Sequence, residues 1–383
     1  MTILIVLLSL LFIVLTFLVV SKAQTILKGL DKTKNSEETE YLGAPDKSNS
    51  ANGLGLFVFW LLSIIGIVWS FNNAKKDFLP EASSIHGKET DYWFWVSMIV
   101  IMIAFFLINS VLFYFTYKYR YQKGRKVAFF THNNNLEIVW TAIPAVVMAG
   151  LVFSGLKVWT KVMDEAPANA EVIEIMGKQF AWTVRYPGAD DNKLGDYNYK
   201  LMDDAGGNPM GVDFSDENSF DDFSNTSEIH IPKGKPVLLK IRARDVLHSV
   251  FMPHMRVKMD AVPGMPTKFW FVADKSTEDM RAELGKPDFN YEVACTEVCG
   301  RSHFGMKMLL VVDEPADYEK WKKNQKPLLT ENAALLDKVP ANLKAKALKY
   351  IAQEPAPVAE VKEDTTKVVA SRVIGNKLLA KLK

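Results

Sequence analysis

The hydrophobic pattern of this chain changes character once, near residue 160. Before that point lie four long uncharged apolar runs, Ile3–Val20, Leu54–Phe71, Trp93–Thr116 and Ile138–Leu156. Each reaches about 18 residues, the length at which an α-helix crosses a hydrocarbon core. One such run could be a buried core helix; four of them predict membrane spans. Trp60, Trp69, Trp93, Trp95, Trp140 and Trp159 stand within or near the ends of the runs, where an interfacial aromatic belt is placed.

After Trp159 the period falls to two. The pieces "EVIEIMG", "FAWTVRY", "SEIHI", "PVLLKIRA", "HSVFM", "TKFWFV", "NYEVA" and "MKMLLVV" alternate or run β-branched and aromatic, with Pro, Gly, Asn and Asp between them. Short strands punctuated in this way predict a β-sandwich or barrel. "PADYEKWKKNQ" (Pro315–Gln325) reads as an amphipathic helix that closes the domain. The fold class is therefore an α + β membrane protein, a helical anchor whose last two spans form an antiparallel hairpin, followed by one globular β domain. Its parts are residues 1–53, an extra first span and linker; 54–160, with spans at about 54–71, 93–117 and 138–160; 168–325, the β domain; and 326–383, a basic, flexible tail.

Charge sets the orientation. "YKYRYQKGRK" carries Lys118, Arg120, Lys123, Arg125 and Lys126 without an acid, which places that loop in the cytoplasm. Counting spans outward from it puts the β domain outside. The first run lacks the positive flank of a secretory signal, and its removal would invert this arrangement, so it reads as a retained helix. Overall charge is nearly balanced, 46 basic against 44 acidic residues, which argues against nucleic acid as a partner. From Ala189 to Glu228, eleven acids face only Lys193 and Lys200. That stretch reads as a solvated, partly disordered loop, or as a docking surface for a basic partner.

The chemistry is concentrated in "YEVACTEVCGRSHFGMKM", which holds both cysteines of the 383-residue chain, Cys295 and Cys299, with His303 and Met306 behind them. A disulfide is the ordinary fate of two exported cysteines. Zinc would use them with His303 and a fourth ligand. Copper suits thiolate with thioether. Met306 separates the three: a disulfide needs neither His303 nor Met306, and zinc seldom takes a thioether. Two thiolates on one loop allow two bridged coppers, each capped by a histidine. His248 in "RDVLHSVFMPH" is the best placed second histidine, at the start of a strand. His254, after Pro253, is not expected to ligate, and Met252, Met255 and Met259 read as packing.

Three segments carry a family resemblance. "CTEVCGRSHFGM" resembles the dinuclear copper loop of cytochrome c oxidase subunit II, C-x-E-x-C-x3-H-x2-M. "DVLHSVFMPHMRVKMDAVPG" resembles its other copper segment, and "LEIVWTAIPA" (Leu136–Ala145) its entry into the last membrane helix. The likeness runs from about Trp93 to Gln325. It implies a cupredoxin-like β domain; the family occurs in bacteria and mitochondria, and the four-span layout and long tail favour a bacterial inner membrane with that domain on the periplasmic side. The implied activity is an electron relay, from cytochrome c to haem in the catalytic haem–copper oxidase subunit, within a complex that reduces oxygen and pumps protons.

It also implies residue roles. Cys295 and Cys299 would bridge two copper ions, His248 and His303 would each cap one, and Met306 and the carbonyl of Glu297 would be weak ligands. The Glu297 carboxylate would reach a magnesium ion shared with the catalytic subunit. Glu137 would mark the entrance of a proton path. No Cys-x-x-Cys-His is present, so no haem of c type is expected in this chain.

The chain departs from the family twice. "GKQFAWTVRY" puts Phe180 where the family has the tryptophan that receives electrons from soluble cytochrome c, and keeps Trp182. That leaves an alternative docking site or a membrane-tethered cytochrome as the donor. The extra pair of spans would pack against other subunits. Two nearby families fit less well: nitrous oxide reductases lack the "LEIVWTAIPA" entry, and quinol oxidase subunits of this fold have lost the copper ligands. A β-sandwich stapled by a Cys295–Cys299 disulfide, with no redox role, is the reading from another class.

Overall fold

A computed structural model describes residues 21, 46–122, 125, 131–188 and 192–351. Among the described residues, three helices are long and apolar enough to span a membrane: α1 (Asp46–Phe78), α2 (Ile85–Lys118) and α3 (Asn134–Met163). Each contains one of the predicted runs and extends beyond it into polar turns, because the backbone's hydrogen bonding continues past the apolar stretch. The first predicted span, Ile3–Val20, lies outside the described residues.

By contact the chain divides into two units, Met1–Asn73 with Met102–Asn133, and Ala74–Ile101 with Asn134–Lys383. In the first, α1 and α2 meet through Trp60. Its indole donates to Ser110 Oγ (3.1 Å) and stacks on Phe113 at 5.5 Å between centroids. Inside an apolar medium such an N–H needs a partner, and a serine one helix away supplies it.

The second unit is built on ten strands: β1 (Glu171–Lys178), β2 (Ala181–Tyr186), β3 (Phe223–Asn225), β4 (Glu228–Pro232), β5 (Pro236–Ala243), β6 (His248–Met252), β7 (Val257–Ala261), β8 (Thr267–Val272), β9 (Tyr291–Cys295) and β10 (Lys307–Asp313). They form two five-stranded sheets, ordered β3-β2-β1-β5-β8 and β4-β10-β9-β6-β7. β1 runs parallel to β5 and β10 parallel to β4; the other pairs are antiparallel. The inward residues of both sheets, among them Ile173, Ile175, Val184, Leu239, Ile241, Val250, Val293, Leu310 and Val312, make one core. Alternation delivered these side chains to one face, as a period of two requires. Helix α4 (Thr277–Leu284) is capped by Ser276, whose side chain and that of Asp279 close a capping box.

The loop between α1 and α2 docks on the β domain. Ser83 N–H donates to the His254 carbonyl (2.7 Å), Ser84 Oγ donates to the Met255 carbonyl (2.7 Å), and Arg256 grips both carboxylate oxygens of Asp91 at 2.7 and 2.8 Å. A bidentate guanidinium–carboxylate pair fixes orientation as well as distance. It ties the start of the membrane helix to the turn between β6 and β7.

Two expectations are corrected here. The acidic stretch is folded where it is described, and the segment after Gln325 continues as structure to Ile351, with α6 (Leu328–Glu331) and α7 (Lys344–Ile351). The two segments share a second apolar cluster of Met176, Met210, Val212, Phe214, Phe220, Leu329, Leu335, Val339 and Ala347. It covers the outer face of the first sheet. Apolar burial explains why this segment is not a free tail. Residues 352–383 lie outside the described residues.

Beneath that cover sits a buried ionic network. Glu174 accepts from Arg185 Nε (2.7 Å) and Arg242 Nε (2.6 Å), and Arg185 Nη1 donates to Asp222 (2.8 Å). Arg242 also stacks over Tyr197 at 3.6 Å. Several acids of the stretch thus have partners in the chain itself: Asp204 with Arg244, Asp203 with Lys338, Glu217 with Lys346 and Asp222 with Arg185.

Candidate metal centre

Cys295 ends β9 and His248 opens β6, and the two strands are neighbours, Cys295 lying opposite Val250. The ladder then opens into a loop from Thr296 to Met306. Its base is closed by Cys295 N–H donating to the Met306 carbonyl (3.0 Å) and Thr296 N–H to the Ser249 carbonyl (3.1 Å). A short 3-10 turn, His303–Gly305, carries the second histidine back toward the cysteines. Rigid strand ends therefore hold His248 and Cys295, the 3-10 turn holds His303, and Cys299 and Met306 stand on the loop to either side of that turn.

The sulfur and nitrogen atoms converge. Cys295 Sγ lies 3.9 Å from Cys299 Sγ and 3.8 Å from His248 Nδ1. Cys299 Sγ lies 3.5 Å from His303 Nδ1 and 3.8 Å from Met306 Sδ. The thiol of Cys295 donates to the Glu297 carbonyl (3.3 Å). The ligand atoms of His248, Cys295 and Cys299 all lie within 4.8 Å of one another, the described group of this kind able to hold a metal ion. Both cysteines are free and buried. His248 is fully buried and Met306 nearly so.

This donor set fits a soft cation. Burial, and then the neighbouring Cys295, push the Cys299 thiol up to about 11. Two thiolates side by side in this setting need a positive charge between them, and a thioether with two imidazoles completes a set suited to copper. The residues present fit the group.

A second layer holds the ligands in place, and the motif reading missed it. Asp245 Oδ1 lies 2.9 Å from His248 Nε2, which leaves Nδ1 facing Cys295. Burial raises the Asp245 carboxyl, but the Gln179 N–H and His248 outweigh it and hold the carboxylate below its usual range. Gly177 is required beneath His248, since a Cβ there would stand 3.0 Å from the imidazole. Nothing in spacing alone marks these residues; only the Asp three positions before His248 offered a signal.

The other predicted residues are dispersed. Trp182 is buried, its ring 5.9 Å from that of His248. Phe180 is half-buried against the core and the ligand loop. Glu297 is exposed, and Glu137 is exposed in the first turn of α3. His254 stays away from the cluster, packed edge-on to Phe289 and Tyr291 at 5.3 Å. Met252 and Met255 are core residues.

A helical membrane anchor carrying a two-sheet β domain, with paired thiols and two imidazoles at one end, defines a membrane-bound cupredoxin-type redox protein. Family models agree: the cytochrome c oxidase subunit II transmembrane domain matches residues 72–158 and its periplasmic domain residues 171–314. The alternative cytochrome c oxidase subunit 2 of Bradyrhizobium diazoefficiens is 32% identical over 60% of this chain and 78% of its own length. Cytochrome c oxidase subunit 2 of Cereibacter sphaeroides is 27% identical over 69% and 83%. The solved periplasmic domain of subunit II from Bradyrhizobium japonicum aligns with 42% of this chain and 94% of its own, at 22% identity and a TM-score of 0.26. The chain belongs to the cytochrome c oxidase subunit II family. It is accordingly the electron-accepting subunit of a haem–copper oxidase, a membrane protein with an exported domain and a family copper centre.

Proposed function

We propose that this chain takes single electrons from a cytochrome c, or a membrane-tethered cytochrome, at a dinuclear copper centre and delivers them to haem in the catalytic subunit. The observation that carries this reading is the convergence of five donors, His248 on Cys295, Cys295 on Cys299, and His303 and Met306 on Cys299, each pair 3.5–3.9 Å apart. In it, Cys295, Cys299, His248 and His303 would hold the two copper ions, and Met306 and the Glu297 carbonyl would be weaker donors. Copper bound in this way supplies one-electron exchange at low structural change.

The chain's own part is to keep the donors still. Strand ends β6 and β9 hold His248 and Cys295, so both redox states meet the same geometry and little reorganisation opposes transfer. Burial of His248 and both thiols keeps water from the donors. The exposed Glu297 carboxylate is free to reach a magnesium ion at the catalytic subunit, and Glu137 stands at a span's N-terminal turn, where a carboxylate can collect protons. The setting is a bacterial inner membrane, with the β domain on the periplasmic side and no haem in this chain.

The test is Cys299→Ser in the assembled oxidase. Donor-driven haem reduction should fall by about a hundredfold or more, while haem reduction by a small chemical reductant persists. Unchanged donor-driven reduction would remove the relay role.

A further inference from the structure

Between Glu297 and Ser302 the ligand loop leaves the sheet. The Cys295 thiol at the end of β9 reaches this stretch at the Glu297 carbonyl (3.3 Å), and from a separate loop Gln179 Nε2 donates to the Cys299 carbonyl at 2.6 Å. Gln179 sits in the turn from β1 to β2, remote in sequence from the loop. Its backbone N–H donates to Asp245 Oδ2 (2.8 Å), and the other oxygen of Asp245 meets His248 Nε2 at 2.9 Å. Followed round, the contacts close a ring. His248 leads to Asp245, Asp245 to Gln179, Gln179 to Cys299, and Cys299 through Cys295 back to His248.

The backbone is shaped to admit this tie. Gly300 has φ +138°, a conformation that L side chains rarely adopt. A Cβ there would stand 2.9 Å from Gln179 Nε2 and 3.0 Å from the Phe180 ring. The glycine next to the ligand thus leaves the room that the Gln179 carboxamide occupies.

We propose that Gln179 is a positioning residue for the metal centre. Through its two N–H donors it couples the support of His248 to the support of Cys299, so that imidazole and second thiol are spaced by the protein before a metal enters. This deepens the copper reading and rests on it for its function, though not for its geometry. Gln179 differs in kind from the ligands: it touches no ligand atom and acts only through a carbonyl and a carboxylate.

The experiment uses the full chain purified in detergent, with Gln179→Met, which keeps shape and removes the side-chain donor, Gln179→Glu, which replaces it by an acceptor, and Gln179→Lys, which restores a donor. In metal-free protein, hydrogen–deuterium exchange of residues 296–306 should quicken about fivefold in the Met and Glu variants, the factor for one net hydrogen bond of about 1 kcal/mol. β9 and β10 should be unchanged and the Lys variant should return toward wild type. In copper-loaded protein, loss of copper to a chelator should quicken by a similar factor. Unchanged exchange in both Met and Glu variants, or a Lys variant that behaves as Met, overturns the proposal. A wild-type chain that takes up no copper would count against the copper reading, and the metal-free exchange would still decide the role of Gln179.

Discussion

The ring of Phe180 lies against the backbone of Gly300, so close that a Cβ on Gly300 would stand 3.0 Å from two ring carbons. The turn between β1 and β2 is thereby pressed onto the ligand loop. Gly300→Ala brings both a steric overlap and a strained φ, and should destabilise the domain by about 1–3 kcal/mol. Thermal unfolding of the full chain checks this, with faster copper release as the accompanying effect. A neutral substitution would mean the loop moves freely away from Phe180.

By resemblance Phe180 would stand where the family has its electron-receiving tryptophan, and Trp182, the other candidate, is buried. If electrons enter elsewhere, Phe180→Ala should leave oxidation of the native donor within about threefold. Phe180→Leu, which keeps apolar packing against Gly300, separates loss of the ring from loosening of the loop. A fall of about tenfold or more in both variants would place electron entry at residue 180.

His230 joins the closing helix α5 (Pro315–Lys323) to the second sheet. Its ring stacks on Trp321 at 4.2 Å, and its Nδ1 lies 2.6 Å from Asp313. Burial lowers its pKa, but Asp313 and Glu228 outweigh burial and hold it above the usual histidine range. A raised folded pKa contributes stability that is full below the unfolded value, about 6.5, and is lost as pH rises through the folded one. The melting temperature of wild type relative to His230→Gln should therefore decline above about pH 6.5. A difference that grows with pH would contradict the pairing.

Leu335 is buried in the cluster that joins the acidic segment to residues 328–351. Leu335→Ala should cost that cluster about 2–5 kcal/mol and open the segment to protease, cutting between about 326 and 351. Lys346→Ala, which removes only an exposed pair with Glu217, should change stability by less than about 1 kcal/mol. Equal sensitivity of the two variants would mean that charge, not burial, holds the segment.

Much of this architecture was legible from period alone. The eight alternating pieces became strands because their apolar positions share one face, and the C-x-E-x-C-x3-H-x2-M spacing named the donors that meet. β7 was missed although Val257, Met259 and Ala261 alternate with Lys258 and Asp260; β3 is three residues long and carries no period. The acidic stretch concealed another alternation, Met210, Val212 and Phe214, because eleven acids around it suggested solvent. Gln179 could not be read at all, and Asp245 was marked only by standing three positions before His248. Their role depends on which loops the two sheets bring together, and no local pattern records that.

The most direct measurement is copper content and electron paramagnetic resonance of the full chain, purified in detergent and reconstituted with copper. The account predicts two coppers per chain and one unpaired electron coupled equally to both nuclei. A single copper, or none with Cys295 and Cys299 oxidised to a disulfide, would contradict it.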